Sequence, residues 1–458
     1  MDAFSVEGLR VTVVGAARSG VAAAELLVRR GARVTLTEQA DTVAEAQRLS
    51  AAGVALEAGG HRRETVVDAD MVVLSPGVPL DQPFVAEART LGVPVIGEIE
   101  LACRWLKGRV VAITGTKGKS TTTTLTGRML EASGVRARVG GNIGLPVSEQ
   151  VDDSTPETVH VIEVSSFQLE STDRFHPWVA ALLNFSPDHL DRHPTVEAYA
   201  EAKARVFRRQ QPSDWAVVNA DDPAARVIAS AALSQRRWFG FEQVTDGVTV
   251  AGDTVVERRV TGDQPLVPLS AVRVPGHHIL SDVLAASAIS RLAGATPDGI
   301  TTAVRAFTGL EHAMQLAGDV AGVRFVNDSK ATNIVSAKRS FESVPSGLVA
   351  ILGGRYKGGD FKDLREVLRG RSRGAVAIGE CAPRIEDALA DLLPVHRASS
   401  MDEAVNAAFA LAAPGDTVVL APACSSFDMF ASFADRGRAF TEAVARLRES
   451  AAHEEGEQ

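Results

Sequence analysis

The chain has 458 residues, 45% of them hydrophobic and 23% charged, with a formal net charge of −9 at pH 7. That length exceeds one ordinary hydrophobic core, so several domains are expected, in a globular soluble protein. The acidic balance argues against a general nucleic-acid binder, Cys103, Cys381 and Cys424 are too few and too scattered for a disulfide framework, and no apolar run reaches bilayer length.

A strand pattern begins at Leu9, which leaves no room for a secretory segment, and a cytoplasmic protein is expected. Residues 1–97 alternate strand and helix patterns. The strand Arg10–Val14 runs into Gly15-Ala16-Ala17-Arg18-Ser19-Gly20, and Gly31 stops the helix that follows. The next strand, Arg33–Thr37, ends at Glu38. This resembles a dinucleotide-binding start in which Ala17 replaces the middle glycine of G-x-G-x-x-G. Met71–Leu74 is a buried strand leading into Ser75-Pro76-Gly77, a turn beyond a strand's carboxyl end, where open α/β sheets place their ligands.

Residues 98–308 contain the most informative stretch. The apolar strand 110–114 is followed by Gly115-Thr116-Lys117-Gly118-Lys119-Ser120-Thr121 and the start of a helix. Backbone N–H groups of such a loop and the helix N-terminus converge on a phosphate. Lys119 adds a point charge there, and the Ser120 hydroxyl suits Mg²⁺. The spacing is shorter than the usual G-x-x-x-x-G-K-[ST], because Ile113 stands where the first glycine belongs. Further polar clusters follow short strands: Gly141-Asn142-Ile143-Gly144, then Glu163-Val164-Ser165-Ser166, then Asp188-His189. Glu163 and His189 lie on the loop's side of the sheet, where a carboxylate and an imidazole suit a second Mg²⁺ or a general base. A helix over 195–209 places Tyr199, Lys203 and Phe207 on one face. A lysine on a helix is usually a solvated charge, so helical periodicity does not select Lys203. Residues 246–257 read as a hairpin turning at Gly252-Asp253.

Residues 309–450 alternate again, with strands at 323–326, 348–352, 375–378 and 417–420. Polar residues gather at their ends, around Asn327-Asp328-Ser329-Lys330, Lys357 and Cys424-Ser425-Ser426. Two lysines, Lys330 and Lys357, suit a small dianionic substrate. Residues 451–458 read as a polar tail.

These motifs resemble the Mur ligases of peptidoglycan synthesis, and the resemblance spans nearly the whole chain. Leu74–Gly77, Thr114–Thr121, Gly141–Gly144, Glu163–Glu170, Asp188–His193, Ala202–Arg205, Asn327–Asn333 and Pro422–Asp428 carry it. It implies an α/β protein of three domains: a Rossmann-like domain at 1–97 for a UDP-sugar-peptide, a P-loop ATPase-like domain at 98–308 for ATP, and a Rossmann-like domain at 309–450 for D-glutamate. The implied reaction is ATP-dependent addition of D-glutamate to UDP-N-acetylmuramoyl-L-alanine through an acyl phosphate, by a monomer. A folylpolyglutamate-type ligase and a nucleotide-binding regulator with a decayed ATPase are the alternatives.

By the same resemblance, Lys119, Glu163, His189 and Lys203 are catalytic. Two Mg²⁺ would be held by Ser120, Glu163, His189 and Lys203, the last as a CO₂-derived carbamate. ATP would be held by residues 115–121 with Asp282 and Asp328. Arg18, Ser19, Glu38, Ser75, Pro76, Gly77, Asn142 and Ser165 would bind the UDP substrate, and Lys330, Thr332, Lys357, Ser426 and Phe433 would bind D-glutamate. The chain departs from the family pattern where Ile279 and Asp282 replace two asparagines, where Ala313 replaces an arginine, and where Glu38-Gln39-Ala40 lacks one. Asp282 is expected to accept from the adenine amino group.

Overall fold

The computed structural model describes residues 4–189, 192–242, 244–274, 276–356 and 358–456. The chain divides into two compact units, one up to Phe307 and one from Thr308 on.

The first unit contains two sheets. One is parallel, in the order β3-β2-β1-β4-β5, from β1 (Arg10–Val14), β2 (Arg33–Thr37), β3 (Ala55–Glu57), β4 (Met71–Leu74) and β5 (Val95–Gly97). Every residue of β4 is buried, as expected of a parallel strand covered on both faces. Gly20 opens the way for the turn after β1, since a Cβ there would sit 1.9 Å from the Gly15 carbonyl oxygen.

The second sheet has the order β14-β13-β12-β11-β10-β9-β6-β8-β7. Its strands are β6 (Arg109–Thr114), β7 (Ala137–Gly141), β8 (Val159–Glu163), β9 (Val179–Leu182), β10 (Trp215–Asn219), β11 (Gln235–Phe239), β12 (Gly247–Ala251), β13 (Thr254–Arg259) and β14 (Gly262–Pro268). The expected hairpin is present, with Ala251 opposite Thr254. The two sheets share apolar packing, because Leu26 of the helix Arg18–Arg29 lies in one cluster with Ile99, Val147, Ile162 and Leu182. The helix expected over 195–209 is α-helical only over Val196–Ala204, capped by the Thr195 side chain, and tightens to a 3₁₀ turn at Arg205–Phe207. Tyr199, Lys203 and Phe207 are nevertheless all buried.

The second unit holds one sheet, β15-β16-β20-β17-β18-β19, from β15 (Gln315–Val320), β16 (Val323–Asn327), β17 (Leu348–Gly353), β18 (Ser372–Ile378), β19 (Val395–Ala398) and β20 (Thr417–Leu420). β15 alone runs antiparallel. Leu420 pairs with Asn327 on one side and Ile351 on the other, so the loops leaving β16, β20 and β17 begin side by side. Where a polar tail was expected, the helix Phe433–Gly456 continues. Alanine and glutamate at 451–455 are good helix formers and extend a helix already nucleated by packing.

Candidate active site

β6 ends in the glycine-rich loop, and the helix Lys119–Ala132 starts at Lys119. Gly118 precedes that helix at φ 78°, and a Cβ there would lie 2.2 Å from Asp282 Oδ1. The left-handed backbone and the close carboxylate both require glycine. No acidic residue occupies the helix's first turn, so its positive end is not neutralised from within.

Two lysines converge on one carbonyl oxygen of this loop. Lys119 Nζ donates to Gly115 O at 3.0 Å and to Thr116 O at 3.1 Å; Lys203 Nζ donates to Gly115 O at 2.8 Å. Lys203 is 1% exposed and lies 4.6 Å from the centre of the Tyr199 ring. Burial, and secondarily the nearby Lys119, lower its pKa to about 7. The helical lysine that periodicity would assign to solvent is therefore a buried amine at the phosphate loop.

Glu163 closes β8 opposite Ile113 of β6 and Gly141 of β7. Its Oε1 accepts from Asn142 Nδ2 at 2.7 Å, while Oε2 is buried without a hydrogen-bond partner. A buried carboxylate oxygen left unmatched costs several kcal/mol unless a cation reaches it. Gly141 permits the approach of the Asn142 loop, since a Cβ there would meet Glu163 O at 2.4 Å. His189 is exposed at φ 53°, with its ring 5.1 Å from Phe167 and 6.1 Å from Tyr199. Among the described residues, no three His, Cys, Asp or Glu side chains group closely enough to hold a metal by themselves. A metal beside Glu163 would need further oxygen donors.

The two sheets of the first unit enclose a cleft of about 300 Å³ lined by Arg18, Ser19, Ser75, Pro76, Gly77 and Asn142, among others. Six expected substrate residues thus share one cavity. Ser165 caps the helix Ser166–Glu170 and exchanges hydrogen bonds with Gln168, which also lines the cleft. Glu38 is engaged elsewhere: its carboxylate accepts from Ala16 N at 2.6 Å and Ala40 N at 3.1 Å, and these bonds lower its pKa. Asp282 likewise serves the loop itself. It is 7% exposed, its Oδ1 lies 3.4 Å from Thr122 Oγ1, and burial raises its pKa to about 8. That position is beneath Gly118, at the start of the helix that follows the loop.

In the second unit, Lys330 and Thr332 occupy the loop after β16, Ser426 the loop after β20, and Phe433 the start of the last helix. Lys330 is exposed, Ser426 buried and Phe433 40% exposed. Asp328 is buried, receiving hydrogen bonds from Ser340 Oγ and, at 3.3 Å, from Met314 N; burial raises its pKa. Lys357 lies outside the described residues.

Three family descriptions match in chain order: the Mur ligase MurD-like N-terminal domain over 9–97, the Mur ligase middle domain over 113–290 and the Mur ligase glutamate ligase domain over 312–424. The chain is 44% identical over 455 residues to UDP-N-acetylmuramoylalanine–D-glutamate ligase of Acidobacterium capsulatum, covering 98% of this chain and 99% of the relative. The chain belongs to the Mur ligase family. The enzyme of the same name from Anaeromyxobacter dehalogenans is 45% identical, with 96% and 98% covered. Among solved structures, the UDP-N-acetylmuramate–alanine ligase MurC of Thermotoga maritima matches at TM-score 0.57 and 18% identity, over 96% of this chain and 99% of that one. MurF ligase from the same organism matches at TM-score 0.56 and 16% identity, over 98% and 97%. At those identities the likeness is one of fold.

Sequence reasoning missed two polar residues of this Mur ligase. Asn184, just past β9, clamps the phosphate loop: its Oδ1 accepts from Thr116 N at 3.1 Å and Lys117 N at 2.9 Å, and its Nδ2 donates to Lys117 O at 3.0 Å. Its place at a strand end beside the loop strand was the available signal. Buried Arg436, in the last helix, carried none.

Proposed function

We propose that this Mur ligase joins D-glutamate to UDP-N-acetylmuramoyl-L-alanine at the expense of ATP, as a cytoplasmic step in peptidoglycan precursor synthesis. The observation that carries this reading is the 44% identity, over nearly the full length, to an enzyme bearing that name. The geometry supports the chemistry. A carboxylate is a poor electrophile, and phosphorylation gives it a leaving group. The alanine carboxylate attacks the terminal phosphate of ATP to form an acyl phosphate and ADP; the D-glutamate amine then attacks the acyl carbon, forms the amide and releases phosphate.

In this scheme Lys119 neutralises the phosphate charge that grows in both steps, and the loop amides orient the phosphates. The cleft of Arg18, Ser75 and Asn142 holds the UDP-sugar-peptide, and Lys330 with Thr332, Ser426, Phe433 and Lys357 receives D-glutamate. The unmatched Oε2 of Glu163 fits a divalent cation, which Ser120 and His189 would help hold. Mg²⁺ bound there would supply charge neutralisation for phosphoryl transfer. Lys203, buried and held by a single carbonyl, is placed to react as a free amine with CO₂, forming an N–C bond and releasing a proton. The resulting carbamate turns a cation into the oxygen donor that a second metal needs.

Phosphate release tests the assignment. With ATP and UDP-N-acetylmuramoyl-L-alanine present, D-glutamate should stimulate release, while L-glutamate and meso-diaminopimelate should not. Release indifferent to the amino acid, or greater with either alternative, would overturn the reading.

A further inference from the structure

We infer that Arg436 is a positioning residue for the amino-acid substrate, fastening the strand-end loops of the second unit together around a buried positive charge. This rests on the reading of that unit as the D-glutamate site.

Arg436 is 1% exposed, among the most completely buried large side chains described. All five of its N–H groups are used. Nε donates to Ser329 Oγ at 3.0 Å; Nη1 donates to Gly353 O at 3.4 Å and Cys424 O at 3.2 Å; Nη2 donates to Ser329 O at 3.0 Å and Cys424 O at 3.2 Å. These acceptors belong to the ends of three strands: Ser329 follows β16, Gly353 closes β17, and Cys424 follows β20. Ser329 Oγ in turn donates to Phe433 O at 2.7 Å. One guanidinium therefore ties together the segments that carry Lys330, Ser426 and Phe433.

Its second property is charge. Arg436 forms no ion pair among the described residues; Asp428 acts on it only from beyond salt-bridge distance. A buried cation without a carboxylate is expensive, and an apolar side chain of similar volume would avoid the cost. The planar fork explains its retention, since lysine has neither five donors nor a fixed geometry for three loops. The buried charge also biases the loops toward an anion, which suits a dicarboxylate amino acid. The backbone is under constraint at this point, because Ala423, beside Cys424, is held at φ 58° while its N–H donates to Ala331 O at 2.9 Å.

The test compares Arg436→Met and Arg436→Lys with the wild type in the phosphate-release assay, varying one substrate at a time. In Arg436→Met, KM for D-glutamate should rise ~10-fold or more, with KM for ATP and for the UDP substrate within ~2-fold. Arg436→Lys should fall between, since it restores the charge but not the fork. A loss of kcat alone, or an equal rise in all three KM values, would assign Arg436 a purely structural role and overturn the inference. Should Arg436→Met fail to fold, Ser329→Ala removes one link of the same network; a severalfold rise confined to the D-glutamate KM supports the inference, and an unchanged KM overturns it. A wild type that releases phosphate without regard to D-glutamate would instead defeat the functional reading beneath it.

Discussion

Among the described residues, each unit buries one lysine or arginine almost completely, and the two are held in opposite ways. Lys203 in the first unit makes one hydrogen bond, to Gly115 O, and leans on Tyr199. Arg436 in the second unit makes five, all to protein oxygens. Burial lowers both pKa values, to about 7 for the lysine and about 10 for the arginine. Near neutral pH the amine thus loses its proton readily, while the guanidinium stays charged. An under-bonded buried group is suited to chemistry, and a fully bonded one to holding a shape.

The strongest way to break this contrast is Lys203→Ala. If that amine carries the proposed carbamate, its loss should lower kcat by ~10³-fold or more, read as substrate-dependent phosphate release. Near-wild-type turnover would place Lys203 with the structural cations. Glu163→Gln comes next. It should lower kcat by ~10²–10³-fold, yet leave the ligand-free melting temperature unchanged or higher, because an unmatched buried charge is removed. A large drop in both would mean that the carboxylate matters mainly for folding. Asn184→Ala should loosen the loop amides and raise KM for ATP ~10-fold, with a smaller change in kcat. Unchanged ATP kinetics would show that the clamp is dispensable.

The smallest effect is expected at Asp282. Its folded-state pKa is raised to about 8, above the ordinary carboxylate value of 3.8. Its contribution to stability is therefore complete below pH 3.8 and is lost as pH rises toward 8. Asp282→Asn stays neutral throughout, so it should be more stable than the wild type at pH 8.5 and no more stable at pH 3.5, measured by urea unfolding. A gain equal at both pH values would contradict the assignment of that carboxyl as buried and protonated.

How far the sequence could be read follows the same division between local and distant causes. Met71–Leu74 and Thr417–Leu420 were readable to the residue, because strands buried on both faces are continuous apolar runs between polar turns. β11, whose Gln235 and Arg236 are exposed, and β19, with exposed His396 and Arg397, lack that signature. The phosphate loop was legible from glycine spacing, a local property. Lys203 was accessible only through family resemblance, since its burial depends on Gly115, 88 residues away. Arg436 was illegible for a further reason: four of its five hydrogen bonds go to main-chain carbonyls, which no side-chain pattern encodes, and Ser329 lies 107 residues away. Asp282 was read as part of the nucleotide site, but the contact with Gly118 and Thr122 that places it beneath the loop is tertiary.

The most direct measurement follows an oxygen atom. If the alanine carboxylate of UDP-N-acetylmuramoyl-L-alanine is labelled with ¹⁸O, an acyl-phosphate route carries one labelled oxygen into inorganic phosphate for each amide bond formed with D-glutamate. Mass spectrometry of the released phosphate should find that single transfer. Unlabelled phosphate accompanying amide formation would contradict the account.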